Sequence, residues 1–304
     1  MNKPFLTVFT PAYNRAYTLP RTYESMKQQR NTDFIWLVID DGSTDNTAAL
    51  VKQWQSEENG FVIRYIYKEN GGMHTAHNTA YELIDTELNT CVDSDDALAP
   101  DAVQIIFDAW QKVKDRNYAG LLALDAEFSG KLIGKGFPEG LAETTLGDYY
   151  RNGGKGDKKL ILRTDVVRQY PPYPTFEGER FVPLGTLYTM IDRDYTLSVL
   201  DEVVCLVEYM PDGSSNNMLR QYYRNPRGFR YGRLIALESP LSMKRRLTLH
   251  AHYVAESILA KEGWMKDSRQ KLLTALMTPV GLLLAMYIKY KNNQHNRIHL
   301  EGKR

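Results

Sequence analysis

Asp93, Ser94, Asp95 and Asp96 stand directly after the short run Asn-Thr-Cys-Val at residues 89–92. Carboxylates at i and i+2 leaving a strand can converge on one hard divalent cation, Mn²⁺ or Mg²⁺. Such a cation keeps several waters and bridges to substrate phosphates. An acidic surface turn that caps a helix starting at Pro100 would be written with the same letters, so a lone D-x-D pair decides nothing. Two further polar clusters shift the balance. Pro11-Ala12-Tyr13-Asn14-Arg15 ends the β-rich run at residues 5–10, and Asp40-Asp41-Gly42-Ser43-Thr44-Asp45 ends the apolar run at residues 34–39.

These clusters need elements that bring them to one edge. Residues 34–39 (Phe-Ile-Trp-Leu-Val-Ile) form the continuous apolar run expected of a strand buried on both faces. Residues 61–67 and 89–92 read as further strands. Helical patterns fall at residues 19–29, from the Gly-Ser-Thr-Asp turn to about Gln55, and at residues 75–84. The β-α-β-α-β order predicts an α/β fold with a doubly wound, mostly parallel central sheet flanked by helices. Ligands of such sheets bind at the carboxyl ends of the strands, where all three clusters fall. Residues 121–126 and 196–199 read as later strands. From Asn217 the signals are helical, at residues 218–223, 231–237, 243–262 and 271–290, which predicts a C-terminal helical extension. The expected division is a catalytic domain over 1–212 and the extension over 213–304.

Composition narrows the class. The 304 residues are 43% hydrophobic and 25% charged, ordinary values for a globular chain. Cys91 and Cys205 lie too far apart for a metal knuckle and read as thiols buried in a reducing, cytoplasmic compartment. The opening residues lack the pattern of a secretory signal. The formal net charge of +1 hides an asymmetry: residues 241–304 carry 12 Lys+Arg against 4 Asp+Glu, while residues 1–240 carry 26 against 33. An acidic body argues against nucleic acid as the main partner, and a basic tail suits something anionic.

The motifs resemble those of family 2 glycosyltransferases. Thr7-Val8-Phe9-Thr10-Pro11-Ala12-Tyr13-Asn14-Arg15 looks like that family's opening strand and loop. Val38-Ile39-Asp40-Asp41-Gly42-Ser43-Thr44-Asp45 resembles its second strand and turn. Asn70-Gly71-Gly72-Met73-His74-Thr75-Ala76-His77-Asn78 is similar to its Asn-x-Gly…Ala-Arg-Asn segment, with His77 where Arg is common. Asp93-Ser94-Asp95 is similar to its metal-binding D-x-D. The resemblance implies a GT-A fold and inverting transfer of a sugar from a nucleotide donor, UDP above all. The acceptor it implies is a saccharide or lipid-linked saccharide, in cell-surface polysaccharide synthesis. It also implies that Asp93 and Asp95 hold Mn²⁺ or Mg²⁺. Pro11, Ala12, Tyr13, Asp41, Gly72 and Ser94 would line the nucleotide, and Arg15 would offer a guanidinium fork to its phosphates. His77 is either a phosphate contact or a satisfied helix histidine.

Transfer to a hydroxyl also needs a general base. The family supplies an acidic residue ahead of a later helix, at the position where this chain has Leu184. Glu179 and Asp192 are the neighbouring candidates. A catalytically silent nucleotide-sugar-binding protein of the same fold is therefore the alternative. A phosphatase using Asp93 as nucleophile fits less well, because Ala97 stands where that pattern wants a hydroxyl or branched residue. The segment 209–217 reads as a Gly/Ser loop that closes over the donor, or as a plain turn. Arg220, Tyr222, Tyr223, Arg224 and Arg227 read as a sugar-binding face or as one side of a packed helix. Residues 272–288 form seventeen residues without charge between Lys271 and Lys289. That run reaches only about 26 Å as a helix, short of a hydrocarbon core. It suits a helix lying on the inner face of an anionic membrane, or a buried or dimer-forming helix.

Overall fold

The computed structural model describes residues 3–209 and 218–301, with side chains through residue 294. The chain divides into two compact units. One takes residues 3–172 and 190–209, and the other takes Tyr173–Thr189 and the helices from residue 218 onward.

In the first unit, β1 (Leu6–Ala12), α1 (Leu19–Lys27), β2 (Phe34–Asp40), α2 (Thr47–Gln55), β3 (Val62–Tyr67), α3 (Met73–Leu83) and β4 (Leu88–Cys91) follow the expected alternation. After them come β5 (Ala97–Leu98), α4 (Ala102–Val113), β6 (Tyr118–Glu127), β7 (Glu143–Thr144), α5 (Leu146–Arg151), β8 (Lys158–Arg163), α6 (Thr164–Val167) and β9 (Thr196–Val207), while α7 (Gly185–Ile191) has residues 185–189 in the second unit. Among the described residues the strands make one sheet in the order β3-β2-β1-β4-β8-β6-β9-β5, with β7 paired to β9. The pairs β1/β2, β2/β3, β1/β4 and β6/β9 are parallel, whereas β8 runs antiparallel to both its neighbours. Every residue of β1 and of β2 is buried, the consequence of apolar runs flanked by helices on both faces. On one face Trp36 of β2 stacks with Tyr23 of α1 and Trp54 of α2, with the Tyr23 and Trp54 rings 4.4 Å apart.

The chain reverses its direction of travel across the sheet at β1, with β2 on one side and β4 on the other. This is the topological switch point at which open α/β sheets bind ligands. The gap is built locally. Pairing of β1 with β4 ends at Phe9↔Cys91, while pairing with β2 continues to Ala12↔Asp40. Pro11, which has no N–H to give, sits where β1 has already left β4. The strands part there, and a crevice opens between the loops that follow β1 and β4.

The second unit contains α8 (Met218–Arg224), α9 (Pro226–Leu237), α10 (Met243–Ala260) and α11 (Lys271–Glu301). Charged pairs hold it: Arg233 meets the fully buried Glu256 at 3.0 Å, and Arg230 meets Glu262 and Asp267. Tyr222 packs edge-on against Phe229 and His252, and Arg227 pairs with Glu262. These two members of the proposed sugar-binding face thus serve packing among the helices. Of the proposed closing loop, residues 210–217 lie outside the described residues.

Candidate active site at the carboxyl edge of the sheet

The loop after β1 and the turn after β2 are knitted into one ridge. Asn14 adopts a left-handed backbone (φ 52°), so that its Oδ1 accepts from the Thr44 and Asp45 N–H groups. Its own N–H donates to Ser43 Oγ at 2.9 Å. Asp45 accepts from Ala16 N and from Thr47 N and Oγ1, anchoring the start of α2. Partial burial opposes ionisation of Asp45, but those hydrogen bonds prevail and hold its carboxyl below the ordinary range. Pro11 and Ala12 are buried beneath the ridge, and Tyr13 is the first residue of the loop to stand out, 47% exposed. Gly42 is required on two counts: its φ is +83°, and a Cβ there would lie 2.8 Å from the Asn70 nitrogen.

Asp41 joins this ridge to the segment ahead of α3. Its N–H donates to Ala12 O at 2.8 Å. Its carboxylate accepts from Lys68 Nζ at 2.5 Å, Gly71 N at 3.0 Å and Gly72 N at 2.8 Å. Asn70 Nδ2 closes the link by donating to Asp41 O. An anion at a helix N-terminus is favoured by the unpaired N–H groups there. Asp41 therefore anchors the glycine loop that leads into α3, in addition to any contact with a ligand. It does not cap α2. Three hydrogen bonds leave one acceptor position of the carboxylate open.

Across the crevice, Asp93–Asp96 form a tight turn closed by Asp96 N donating to Asp93 O at 3.0 Å. Arg21 donates to Asp95 O, and Thr22 Oγ1 donates to Asp96 O at 2.7 Å, so α1 fixes the turn from below. Ser94 is buried within it. Burial raises the Asp95 carboxyl, and the neighbouring charge of Asp93 adds to that. The Arg15 and Arg21 guanidinium groups work in the opposite direction. Asp93 and Asp95 are thus close enough to repel, and the Arg15 guanidinium, which donates to Tyr17 Oη at 2.6 Å, is near enough to favour the Asp95 charge. Asp96 is pushed up to about 8 by burial, against the opposing charge of Lys159.

Among the described residues no three His, Cys, Asp or Glu side chains surround one point. Asp93 and Asp95 offer hard oxygen ligands under mutual repulsion, which a divalent cation would relieve. The remaining positions around such a cation would fall to water and diphosphate, as Mg²⁺ and Mn²⁺ prefer.

Three expected site residues lie elsewhere. His77 is 1% exposed and packs edge-on against Phe9, with Nδ1 3.3 Å from Tyr81 Oη and Nε2 3.7 Å from Cys91 Sγ. Burial drives its pKa down to about 3, so it is a neutral core histidine and no phosphate ligand. Glu179 lies in the second unit, where both carboxylate oxygens are occupied at the start of α9. They accept from Arg227 N at 3.0 Å and Gly228 N at 2.9 Å. Asp192 does the same for α5, accepting from Leu146 N and Gly147 N. Burial raises both carboxyls, and the backbone N–H groups pull the other way. Each is engaged as a helix cap.

Sequence reasoning missed Lys68, Arg21, Lys159 and Asp125. Lys68 stands two residues before the Asn-Gly-Gly segment, which could have pointed to it. Lys159 and Asp125 had no signal at all. Their charges interact because β8 inserts antiparallel between β4 and β6, where Lys159 Nζ donates to Cys91 O at 3.2 Å.

The family model described as Glycosyl transferase family 2 matches residues 7–125, the span that carries the whole crevice. Chondroitin synthase of Escherichia coli is 32% identical over 134 residues, which are 44% of this chain and 19% of that one. The chain thus spans about a fifth of that relative. The putative teichuronic acid biosynthesis glycosyltransferase TuaG of Bacillus subtilis is 29% identical over 213 residues, 68% of this chain and 79% of that one. Among solved structures, S. aureus TarS 1-349 in complex with UDP-GlcNAc superposes with a TM-score of 0.60 at 16% identity. It covers 95% of this chain and 92% of its own. The mannosyltransferase PcManGT from Pyrobaculum calidifontis, in complex with GDP-Man and Mn2+, gives 0.57 at 16%, over 95% and 88%. Those two likenesses concern the fold, which is the GT-A arrangement. The four ordered motifs at this edge of the sheet thus all fall within the span that matches the glycosyltransferase family 2 model.

Proposed function

We propose that this chain transfers a sugar, with inversion, from a UDP-linked donor to a saccharide acceptor, free or carried on a lipid, in the synthesis of a surface polysaccharide. The observation that carries the reading is the crevice at the β1/β4 switch point. There the Tyr13–Arg15 loop, Asp41 and the Asp93–Asp95 turn follow neighbouring strands at one edge of the sheet. In this reading Tyr13 supplies a ring face to the base, and the open acceptor position of Asp41 takes a base N–H. Asp93 and Asp95 hold Mn²⁺ or Mg²⁺, which would offset charge on the diphosphate. Arg15 directs its guanidinium to the same phosphates. The acceptor oxygen forms its bond to the anomeric carbon from the face opposite UDP. The carbon–oxygen bond to the diphosphate breaks, and the leaving electron pair stays with UDP.

The hydroxyl proton must pass to a base. Glu179 and Asp192 are both engaged with backbone N–H groups, and Leu184 replaces the acid expected there. That combination favours a second reading, a protein that binds the nucleotide sugar without transferring it. Screening a panel of nucleotide sugars for release of nucleoside diphosphate, with and without Mn²⁺ and saccharide acceptors, separates the two. Acceptor-dependent release supports transfer, whereas binding without release supports the silent reading. The two free thiols suit a cytoplasmic setting, and a lipid-carried acceptor would draw the protein to the inner face of a membrane.

A further inference from the structure

The helix α11 is apolar on two sides. Its inner stripe (Thr274, Gly281, Ala285, Ile288 and Asn292) is buried at the helical spacing of four, three and seven residues. Gly281 fits against α10 so closely that a Cβ there would lie 2.5 Å from Val254. Thr274 Oγ1 meets His250 Nδ1 at 2.9 Å. Its outer stripe has no packing partner among the described residues: Leu272 is 88% exposed, Leu276 65%, Leu283 67% and Met286 65%, with Tyr287 and Tyr290 at its far end. Scattered exposed leucines need no explanation, but a ladder of this length on one face marks an interaction surface.

We propose that the outer face of α11 docks on an anionic lipid bilayer, with the helix lying in the headgroup region parallel to the membrane plane. Charge complementarity selects this occupant. Lys266 and Lys271 stand at the start of the helix, Lys289 and Lys291 near its end, all exposed. None of the four forms an ion pair among the described residues. The acidic neighbours Asp267 and Glu262 are already neutralised by Arg230 and Arg227. The surface around the ladder is thus positive, with Tyr287 and Tyr290 as amphipathic rings of the kind that settle at headgroup depth. A second copy would have to bring two such basic rims together.

Length alone allows a span, because the 24 residues Lys271–Gln294 reach about 36 Å. Packing forbids it. The inner stripe holds α11 along α10, whose Lys244, Arg245, Arg233-facing Glu256 and His252 cannot enter hydrocarbon beside it. A helix with one face committed to a polar unit can present only the other to lipid.

The lipid-carried acceptor of the proposed reaction gives this docking its purpose, but the docking is read from α11 alone. Deleting α11 would uncover the buried side of α10, so point variants are the better test. The full chain is sedimented with phosphatidylcholine vesicles, with and without phosphatidylglycerol. Binding to the anionic vesicles, with at least a tenfold loss in Leu276→Glu/Leu283→Glu at unchanged melting temperature, is the expected result. Removing Lys266, Lys271 and Lys289 as glutamines should cost roughly fivefold per lysine, and high salt should release the parent protein. Equal binding by parent and leucine variant overturns the proposal. So does a dimer in lipid-free solution that the leucine pair abolishes, since a second copy would then cover the face. Retention through high salt and alkaline carbonate overturns the in-plane placement. UDP calorimetry on the same variants reports separately on the crevice, so failure there leaves the lipid result standing.

Discussion

Asp41→Asn tests the anchor of the glycine loop with the least change of shape. The native carboxylate accepts three hydrogen bonds, from Lys68 Nζ, Gly71 N and Gly72 N. Asparagine keeps one acceptor oxygen and turns an NH₂ group toward at least one of those donors. Lys68 is not stranded, because it also donates to Thr75 Oγ1 at 2.8 Å and Glu69 O at 2.6 Å. The loss is then about one charge-assisted bond plus one buried N–H left without a partner, on the order of 2–4 kcal/mol. For a unit of this size that lowers the melting temperature by roughly 5–12 °C. Thermal and urea denaturation would read the change, and UDP calorimetry at a temperature well below the transition would read affinity. Loss of a base contact adds roughly tenfold to hundredfold weaker UDP binding. Lys68→Met should destabilise too, and the double variant should lose less than the sum, because both single changes break the same pair. A melting temperature for Asp41→Asn within about 1 °C of the parent would refute the anchoring argument. Additive losses in the cycle would refute the Asp41–Lys68 coupling.

Asp95→Ala should abolish the Mn²⁺-dependent part of UDP binding while leaving the fold intact, measured by calorimetry with Mn²⁺ and with chelator. Equal affinity in both removes Asp95 from the metal site. Glu179→Gln should lower stability by about 1–2 kcal/mol, since the amide keeps only one acceptor for the first N–H groups of α9. Turnover should fall by far less than the 10²–10⁴-fold expected of a lost base, and a fall of that size at unchanged stability would restore Glu179 as the base. His77, held down at about 3 in the folded chain against 6.5 unfolded, contributes stability that is complete above pH 6.5 and is lost as pH falls toward 3. At pH 5 the cost is about 2 kcal/mol, and denaturation of His77→Phe should show a correspondingly flatter decline from pH 7 to pH 5. An unchanged slope would mean that His77 is already charged in the fold.

The sequence by itself determined the first half of the sheet and the edge on which the chemistry gathers. The continuous apolar run at β2 has no other stable place than a sheet covered on both faces, with the β-rich run at β1 beside it, and the polar clusters ending them must then lie at the carboxyl edge. Local signals also held for α2, α8 and the start of α11, where the observed helices follow the sequence periodicity. Tertiary structure alone decided the rest. The strand β8 was invisible, because Lys158-Lys159-Leu-Ile-Leu-Arg163 has the polar flanks of a surface segment. Only its antiparallel place between β4 and β6 buries it. That insertion is also what brings Lys159 beneath the Asp93–Asp96 turn. Glu179 and Asp192 read as candidate bases because a sequence shows a carboxylate but not its donors, and the donors are backbone N–H groups 45 to 49 residues away. The same limit applies to His77: a histidine in a helix that opens on a ligand-binding loop faces the ligand or the core according to one turn of rotation. Packing against Phe9, which no local pattern encodes, set that rotation.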